Sequence, residues 1–323
     1  MYSSHTMRIP PQPAHLADYA QGNLPPQPAF THSRAILQTC ALILATILPA
    51  HLPAASLQPA ASLLSVPART WAVDCSRSES LVIQHPDSYL RYRLHVVDEK
   101  GDHLRDQIET PEGSVARLLQ RDGRPLTSAE DAAERQRLTD LLASPSSFTR
   151  HIRTEQRNKQ MGINLLKLLP DAMLWSYAPG QPQLPNWSSA TPALIVIDFK
   201  PNSSWSAPTI ESDPLTGLEG RVWIDPVTHR LVRLEADLAR AVNVGWGVVA
   251  HLYPGGTVTL EQTNVGGQRW IASHIVEQLN LRALMVKNVK QRLTFDTASY
   301  QPIPSMTYQQ AIKILLDTPL PPR

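Results

Sequence analysis

One stretch decides the fold class: Gly220-Arg-Val-Trp-Ile-Asp-Pro-Val-Thr-His-Arg-Leu-Val-Arg-Leu-Glu235. On both sides of Asp225-Pro226, apolar residues recur at every second position, which is the period of a β-strand. Proline supplies the fixed φ of a turn position, so this dipeptide predicts the turn of a hairpin. We expect Val222 and Ile224 to share one face of the first strand, and Val232 and Leu234 to share one face of the second.

The same period recurs along most of the chain on either side of this hairpin. Residues 89–97 alternate strictly at their centre, with Tyr92, Leu94 and Val96 on one side, and strands are expected to follow at 104–110 and 114–119. About ten or eleven strands in one stretch predict a large sheet rather than two small domains. The remaining strand predictions are Leu174–Tyr177, Ala193–Phe199, Val248–Leu252, Thr257–Glu261, Arg269–Glu277 and Val286–Phe295.

Helical periodicity replaces the strand period between residues 128 and 170. Ser128 is a good N-cap for a first helix, within which we expect an ion pair between Asp131 and Arg135. A second helix is predicted from about 147 to 169, stopped by Pro170. A terminal helix is expected at 308–316.

The N-terminal residues predict a segment that is removed before folding. Residues 1–34 are rich in proline, and basic Arg34 precedes an apolar run of 14 residues, Ala35–Leu48, followed by small residues. A bilayer span needs roughly 20 residues, so this run is short for one and is typical of a secretory signal peptide. A buried helix and a signal anchor are the alternatives. We expect an N-terminal extension and signal peptide at 1–56, a linker at 57–84 and a single domain at 85–318.

Bulk composition argues against two classes of function. The formal net charge is only +2, whereas nucleic-acid binding requires a basic surface that neutralises phosphates. Cysteine is scarce, with Cys40 inside the apolar run and Cys75 as the other one, so no zinc site can be built on cysteine spacing. We expect no metal, no cofactor and no nucleic-acid partner.

The sequence contains no recognisable catalytic motif. The histidines do not pair as H-x-x-x-H, and no G-x-S-x-G pentapeptide is present for a serine nucleophile. His95 and His103 could meet across a hairpin, and His251 and His274 lie on neighbouring predicted strands, but surface histidine is the simpler interpretation. The sequence predicts no catalytic residue and a protein that is not an enzyme.

The hairpin pattern "G-x-V-W-I-D-P-x-T-x-R-L-x-R-L-E" at 220–235 resembles the periplasmic lipoprotein-carrier superfamily, that is, LolA/LolB-like proteins and the related RseB-like domains. Residues 245–261 and 267–274 continue in the same style, and Arg121-Asp-Gly-Arg-Pro-Leu126 ahead of a charged helix is similar to secreted relatives of that superfamily. The resemblance covers roughly residues 85–300. It implies a mainly β, α+β fold: a curled antiparallel half-open β-barrel with helices on its concave side. The superfamily begins with a long helix before its first strand, whereas here residues 75–88 are short and are cut by Pro86.

The resemblance also implies a function, because the apolar groove of that superfamily takes lipid acyl chains. We therefore expect an exported envelope protein, periplasmic or secreted and at most peripheral to the membrane, that binds a lipid or lipoprotein acyl chain. The alternatives are a periplasmic sensor or interaction module that binds a membrane-protein segment, and an exported hydrolase without a recognisable motif. The residues expected to line the groove are Tyr92, Leu94, Val96, Val222, Ile224, Val232, Leu234, Val258 and Leu260.

Export makes the first testable prediction. N-terminal sequencing of the chain recovered from a cell envelope should begin between residues ~50 and ~60, the small-residue zone that follows the apolar run. An intact N-terminus found only in a cytoplasmic fraction would contradict the expectation of export.

Overall fold

The computed structural model describes residues 58–86, 88–188, 191–267 and 269–322. The strands in these residues are β1 (Tyr89–Asp98), β2 (Gly101–Ile108), β3 (Val115–Arg121), β4 (Arg124–Pro125), β5 (Met173–Tyr177), β6 (Ile195–Pro201), β7 (Leu218–Ile224), β8 (Leu231–Leu238), β9 (Val242–Val244), β10 (Ala250–Leu252), β11 (Thr257–Asn264), β12 (Trp270–Ala283) and β13 (Lys287–Ile303). The helices are α1 (Ala61–Leu64), α2 (Ala68–Gln84), α3 (Ser128–Ala143), α4 (Pro145–Ala172) and α5 (Tyr308–Asp317), with a 3-10 helix at Ile210–Gly217.

All of these strands belong to one sheet, and each pair of neighbours is antiparallel. The order is β4-β3-β2-β1-β13-β12-β11-β8-β7-β6-β5, while β10 pairs with the far end of β12 and with β9. The sheet is open, because its two end strands, β4 and β5, do not pair with each other in the described part of the chain. The mainly β, antiparallel fold class predicted from the sequence is confirmed at this level.

Helix α4 carries the chain from one edge of the sheet to the other. Its 28 residues span about 42 Å. We expected Pro170 to stop this helix, but the helix continues to Ala172. Proline lacks an N–H and so frees the carbonyl four residues earlier. That carbonyl, on Leu166, accepts a hydrogen bond from the Ser76 hydroxyl of α2 instead.

Helix α3 differs from the expectation in its cap and in its ion pair. Its N-cap is Thr127 rather than Ser128, and Thr127 forms a reciprocal capping box with Glu130. Asp131 does not pair with Arg135; its Oδ1 lies 2.7 Å from Nη2 of Arg117 on β3. Arg117 is almost fully buried, so it needs a carboxylate far more than an exposed arginine does.

The expected linker at 57–84 contains α1 and the 17-residue helix α2. A long helix therefore does precede the first strand. Its apolar pattern is weak in sequence because serine and glutamate occupy part of the buried face. The buried residues of α2 are Ala68, Trp71, Ala72, Cys75, Ser76, Glu79 and Ser80. The predicted signal peptide at 1–56 lies outside the described residues.

One face of the sheet carries a continuous row of apolar residues, which we name the α2 face. Strand register places these residues directly opposite one another across seven strands: Val96, Phe295, Ile275, Leu260, Leu234, Val222 and Ile197. Helix α2 and Leu165 of α4 join these strands in the largest buried cluster. Ile108 and Val115, which point to the opposite face, pack instead with α3, α5 and the first half of α4.

A buried ion pair fastens α2 to the sheet. The Glu79 carboxylate lies 2.9 Å from Nε of Arg230, at the start of β8, and both side chains are at least 93% buried. The turn that contains Arg230 also contacts α2 through Trp71, whose ring meets His229 edge-on at 5.1 Å. The hairpin that decided the fold class thus holds α2 in place.

The ion pair generates a stability prediction. Arg230→Met should lower the free energy of unfolding by ~3–5 kcal/mol, because it leaves Glu79 buried without its cation. Lys159→Met, which breaks the exposed pair with Glu155 on α4, should cost under ~1 kcal/mol. Urea unfolding followed by circular dichroism measures both. Equal midpoints for the two variants would show that the buried pair does not hold α2.

Candidate functional site

A small apolar cavity lies between α2, α4 and strands β5 to β8. It measures about 70 Å³. Apolar walls with a few polar groups are typical of small-molecule sites. The helices contribute Ala72, Cys75, Ser76, Glu79, Leu166 and Leu169 to the lining, and the strands contribute Trp175, Phe199, Val222, Ile224, Leu231 and Leu234.

A larger depression of about 330 Å³ lies between α3 and the C-terminal residues Leu320 and Pro321. Its two charged side chains already have partners inside the protein. Asp131 pairs with Arg117, and Arg135 donates to the carbonyl of Leu316 at 2.6 Å. The depression lies where α3 packs against the C-terminal residues, and its charged groups are already bonded within the protein. We therefore take the apolar cavity as the candidate site.

The helical wall of the cavity is held by side chains that satisfy the end of α4. The last four carbonyls of a helix have no partner within the helix. Here the Pro170 carbonyl accepts from Arg69 Nε at 3.2 Å and from Trp175 Nε1 at 3.3 Å. Together with the bond from Ser76 to Leu166, these contacts join α2, α4 and β5 around the cavity.

Glu79 is the most strongly bonded polar group in the cavity wall. Its Oε1 accepts from the backbone N of Leu231 at 2.9 Å, and its Oε2 accepts from Gln262 Nε2 at 2.8 Å and from Arg230 Nη2 at 3.1 Å. Burial raises the pKa of this carboxyl, and Arg230 and the hydrogen bonds act in the opposite direction. With both oxygens engaged, Glu79 serves to position α2 rather than to react.

Cys75 is the only other ionisable group in the cavity wall. It is a free, buried thiol. Burial raises the pKa of Cys75 well above its ordinary value, and the nearby Glu79 carboxylate raises it further. A thiol with a raised pKa is a poor nucleophile, so the residue packs as a small apolar side chain.

Three of the residues predicted to line a groove do line this cavity: Val222, Ile224 and Leu234. Val258 and Leu260 lie further along the same face and belong to the same buried cluster. The structure therefore places these five residues on one face of the sheet and three of them in the cavity wall, while their role in lining a ligand groove remains a prediction.

Tyr92, Leu94 and Val96 lie on the α2 face but away from the cavity. They form a separate cluster on β1 with Leu90, and Phe295 packs against both this cluster and the main one. The hydroxyl of Tyr92 accepts a hydrogen bond from Gln107 Nε2 at 2.7 Å. The structure thus does not bring these three residues to the same site as Val222 and Ile224.

Val232 was predicted to share a face with Leu234, and this prediction is wrong. Trp223 pairs with Arg233 but Ile224 pairs with Leu231, so β8 has one extra residue at this point. Such a bulge reverses the side-chain alternation locally. Val232 consequently packs on the opposite face with Trp223.

The histidines do not meet as the sequence allowed. His95 bonds to Asp102 at 2.7 Å rather than to His103, while His274 bonds to Asp296 at 2.6 Å. His251 bonds to Asn243 at 2.7 Å, far from His274 in the strand pairing. Within the described ranges, no three His, Cys, Asp or Glu side chains are grouped so that they could hold a metal ion.

Glu277 is a second buried carboxyl on the α2 face, and sequence reasoning missed it. It lies on β12 between Ile275 and Leu279 and opposite Val258, and it is fully buried. Neither carboxylate oxygen has a hydrogen-bond partner within the described part of the chain. Burial raises the pKa of Glu277 to about 8, and Glu99 contributes to this shift.

The α2 residues of the cavity wall were also missed, because the sequence predicted a linker there. One signal could have found them. Trp71, Ala72, Cys75, Ser76 and Glu79 recur at intervals of three and four, which is helical spacing. The mixture of apolar and polar types concealed the pattern.

No model of a protein family matches the chain, and a search of curated proteins found no match either. The resemblance to LolA/LolB-like proteins remains a prediction from the sequence motifs.

None of the helices in the described residues is long and apolar enough to cross a membrane. The expectation that the protein is at most peripheral to the membrane remains a prediction.

The carboxyl of Glu277 generates a pH prediction. Between the ordinary pKa of 4.5 and about 8, the folded chain binds a proton that the unfolded chain has lost. The free energy of unfolding should therefore fall as pH rises through this window, by up to ~1.4 kcal/mol per unit. Glu277→Gln should remove this fall. The free energy of unfolding of the variant should therefore exceed that of the native chain by the largest amount near pH 8.

Urea titrations at pH 5, 6.5 and 8 measure this effect, with Glu219→Gln as the control on an exposed carboxylate. A stability difference between Glu277→Gln and the native chain that does not change with pH would contradict the assignment.

Proposed function

We propose that the chain is an exported, non-catalytic envelope protein that binds an apolar ligand, a lipid or lipoprotein acyl chain. The ligand would lie between the helices and the α2 face of a sheet that curls into a half-open barrel around them. The observation that carries the proposal is the apolar cavity between α2, α4 and β5 to β8. Its wall groups are either apolar or fully engaged within the protein, which suits a hydrocarbon rather than a reactive substrate.

The size of the cavity limits how a ligand can bind. About 70 Å³ is less than half of the ~150 Å³ cavity that accepts benzene, so an acyl chain needs more room than this structure offers. A chain of twelve methylenes gains roughly 0.8 kcal/mol for each one buried, and micromolar binding requires that ~8 kcal/mol survive the costs of ordering. Binding therefore requires the cavity to widen along the helices.

In our proposal the end of α4 moves, which breaks the hydrogen bonds that its Pro170 carbonyl accepts from Arg69 and Trp175. Pro170 removes one backbone hydrogen bond from its last turns, and the Leu166 carbonyl is held by one hydroxyl, that of Ser76. By contrast, α2 is fixed by the buried pair of Glu79 and Arg230. In our proposal, the segment after Leu166 moves away from α2 and admits the ligand against Val222, Ile224 and Leu234.

A cavity-filling variant tests the proposal. The native chain should bind a fluorescent fatty acid saturably, with a Kd in the micromolar range. Ala72→Leu adds three carbons to the cavity wall and should weaken binding at least ~10-fold, while it leaves the unfolding midpoint unchanged or raised. The matched control is Ala129→Leu, which adds the same atoms to the exposed surface of α3.

Three results separate the alternatives. Saturable binding that Ala72→Leu weakens and Ala129→Leu does not supports the cavity as the site. Binding that both variants retain at full strength places the ligand elsewhere and contradicts the proposed site. No binding up to the solubility limit of the fatty acid, together with a co-purifying envelope protein, favours the interaction-module alternative.

A further inference from the structure

Two loops place a group of large apolar side chains in solvent at one end of the sheet. Residues 245–249 join β9 to β10, and residues 284–286 join β12 to β13. Trp246 is 94% exposed, and Val286 is 83% exposed. We name this feature the apolar tip, and its exposed members are Trp246, Val248, Leu284, Met285 and Val286.

The apolar tip is a single feature because the two loops are bonded to each other. The backbone N of Leu284 donates to the carbonyl of Val249 at 3.1 Å, and Ala250 pairs across the sheet with Ala283. The backbone N of Gly245 donates to Asp213 of the 3-10 helix at 2.8 Å. These bonds fix both loops at the same end of the sheet.

The backbone of the tip presents its side chains outward in a conformation that is uncommon for them. Trp246, Leu284 and Met285 all have positive φ, at 54°, 47° and 63°. Residues other than glycine, asparagine and aspartate rarely adopt this region of backbone conformation. Large apolar residues at strained, exposed positions weigh against solubility and stability, so they call for a partner that covers them.

Unpaired cations flank the tip. Arg282 precedes the tip and Lys287 follows it. Lys290 lies about 13 Å beyond Val286 along β13. All three are exposed, and none forms an ion pair with a carboxylate in the described residues. The 3-10 helix contributes two carboxylates near the tip, Glu211 and Asp213. Asp213 already accepts the hydrogen bond from the backbone N of Gly245.

We infer that the apolar tip docks on the surface of an anionic phospholipid membrane. Tryptophan and aliphatic side chains that project from loops fit the boundary between headgroups and acyl chains. Flanking lysine and arginine add attraction to anionic headgroups, roughly fivefold in affinity for each residue near the surface. None of the exposed tip residues lines the cavity, and the inference does not depend on ligand binding there.

The experiment uses the full chain and vesicles of phosphatidylcholine, with or without one quarter phosphatidylglycerol. The native chain should co-sediment with the anionic vesicles and show a blue shift in tryptophan emission. Trp246→Asn/Met285→Asn should weaken binding at least ~10-fold and reduce the shift. Asparagine tolerates positive φ, so both loops should keep their conformation. Unchanged unfolding midpoints check that the variants fold.

The matched control is Val227→Asn, which removes an apolar side chain that is 71% exposed in the β7–β8 turn, at the other end of the sheet. The apolar run at 35–48 is common to all variants, so only differences between variants report on the tip. A triple change of Arg282, Lys287 and Lys290 to Gln should lose the preference for anionic vesicles.

Three results would overturn the inference. The first is equal vesicle binding by the native chain, the tip variant and Val227→Asn. The second is that the native chain binds neither the anionic vesicles nor those of phosphatidylcholine alone. The third is self-association of the native chain, seen by analytical ultracentrifugation, that the tip variant abolishes without any effect on vesicle binding; this would make the tip an interface between copies.

Discussion

The contact between Glu79 and Arg230 is the constraint on which the rest of the structure depends. It lies where the decisive hairpin meets α2, and α2 in turn covers the apolar side chains of β6 to β8. A buried ion pair is weak as a source of stability, but breaking one partner is costly, so it sets the position of α2 strongly. Two further hydrogen bonds to Glu79, from Leu231 and Gln262, fix the position of the helix on the sheet.

Local periodicity is enough to predict most strands of this fold. The alternation in β1, β7 and β11 depends only on which side chains face the core, and the structure reproduces it. Helix α2 escaped prediction because its buried face includes Ser76, Glu79 and Ser80, which look solvent-exposed in a sequence. The partners of Ser76 and Glu79 lie 90 to 183 residues away, and no local pattern reveals them.

Errors in the candidate site have the same origin. Val232 changed face because one extra residue in β8 reverses the alternation, and a bulge is a property of two paired strands rather than of one. Pro170 failed to end α4 because Ser76 takes over the carbonyl that proline frees. The sequence therefore predicted which side chains share a face for most of these residues, but it could not show where helices close over that face.

The two faces of the sheet differ in how well they could accept the apolar ligand that we propose. On the face opposite α2, strand register sets His95, Asp296, His274, Glu261 and Arg233 in a row across β1, β13, β12, β11 and β8. Their charges are matched locally: His274 bonds to Asp296, and Arg233 pairs with Glu261. A hydrocarbon placed on that row would desolvate these groups without offering them any bond. The α2 face imposes no such cost beside the cavity, because the carboxylate in the cavity wall, that of Glu79 on α2, already has both oxygens bonded.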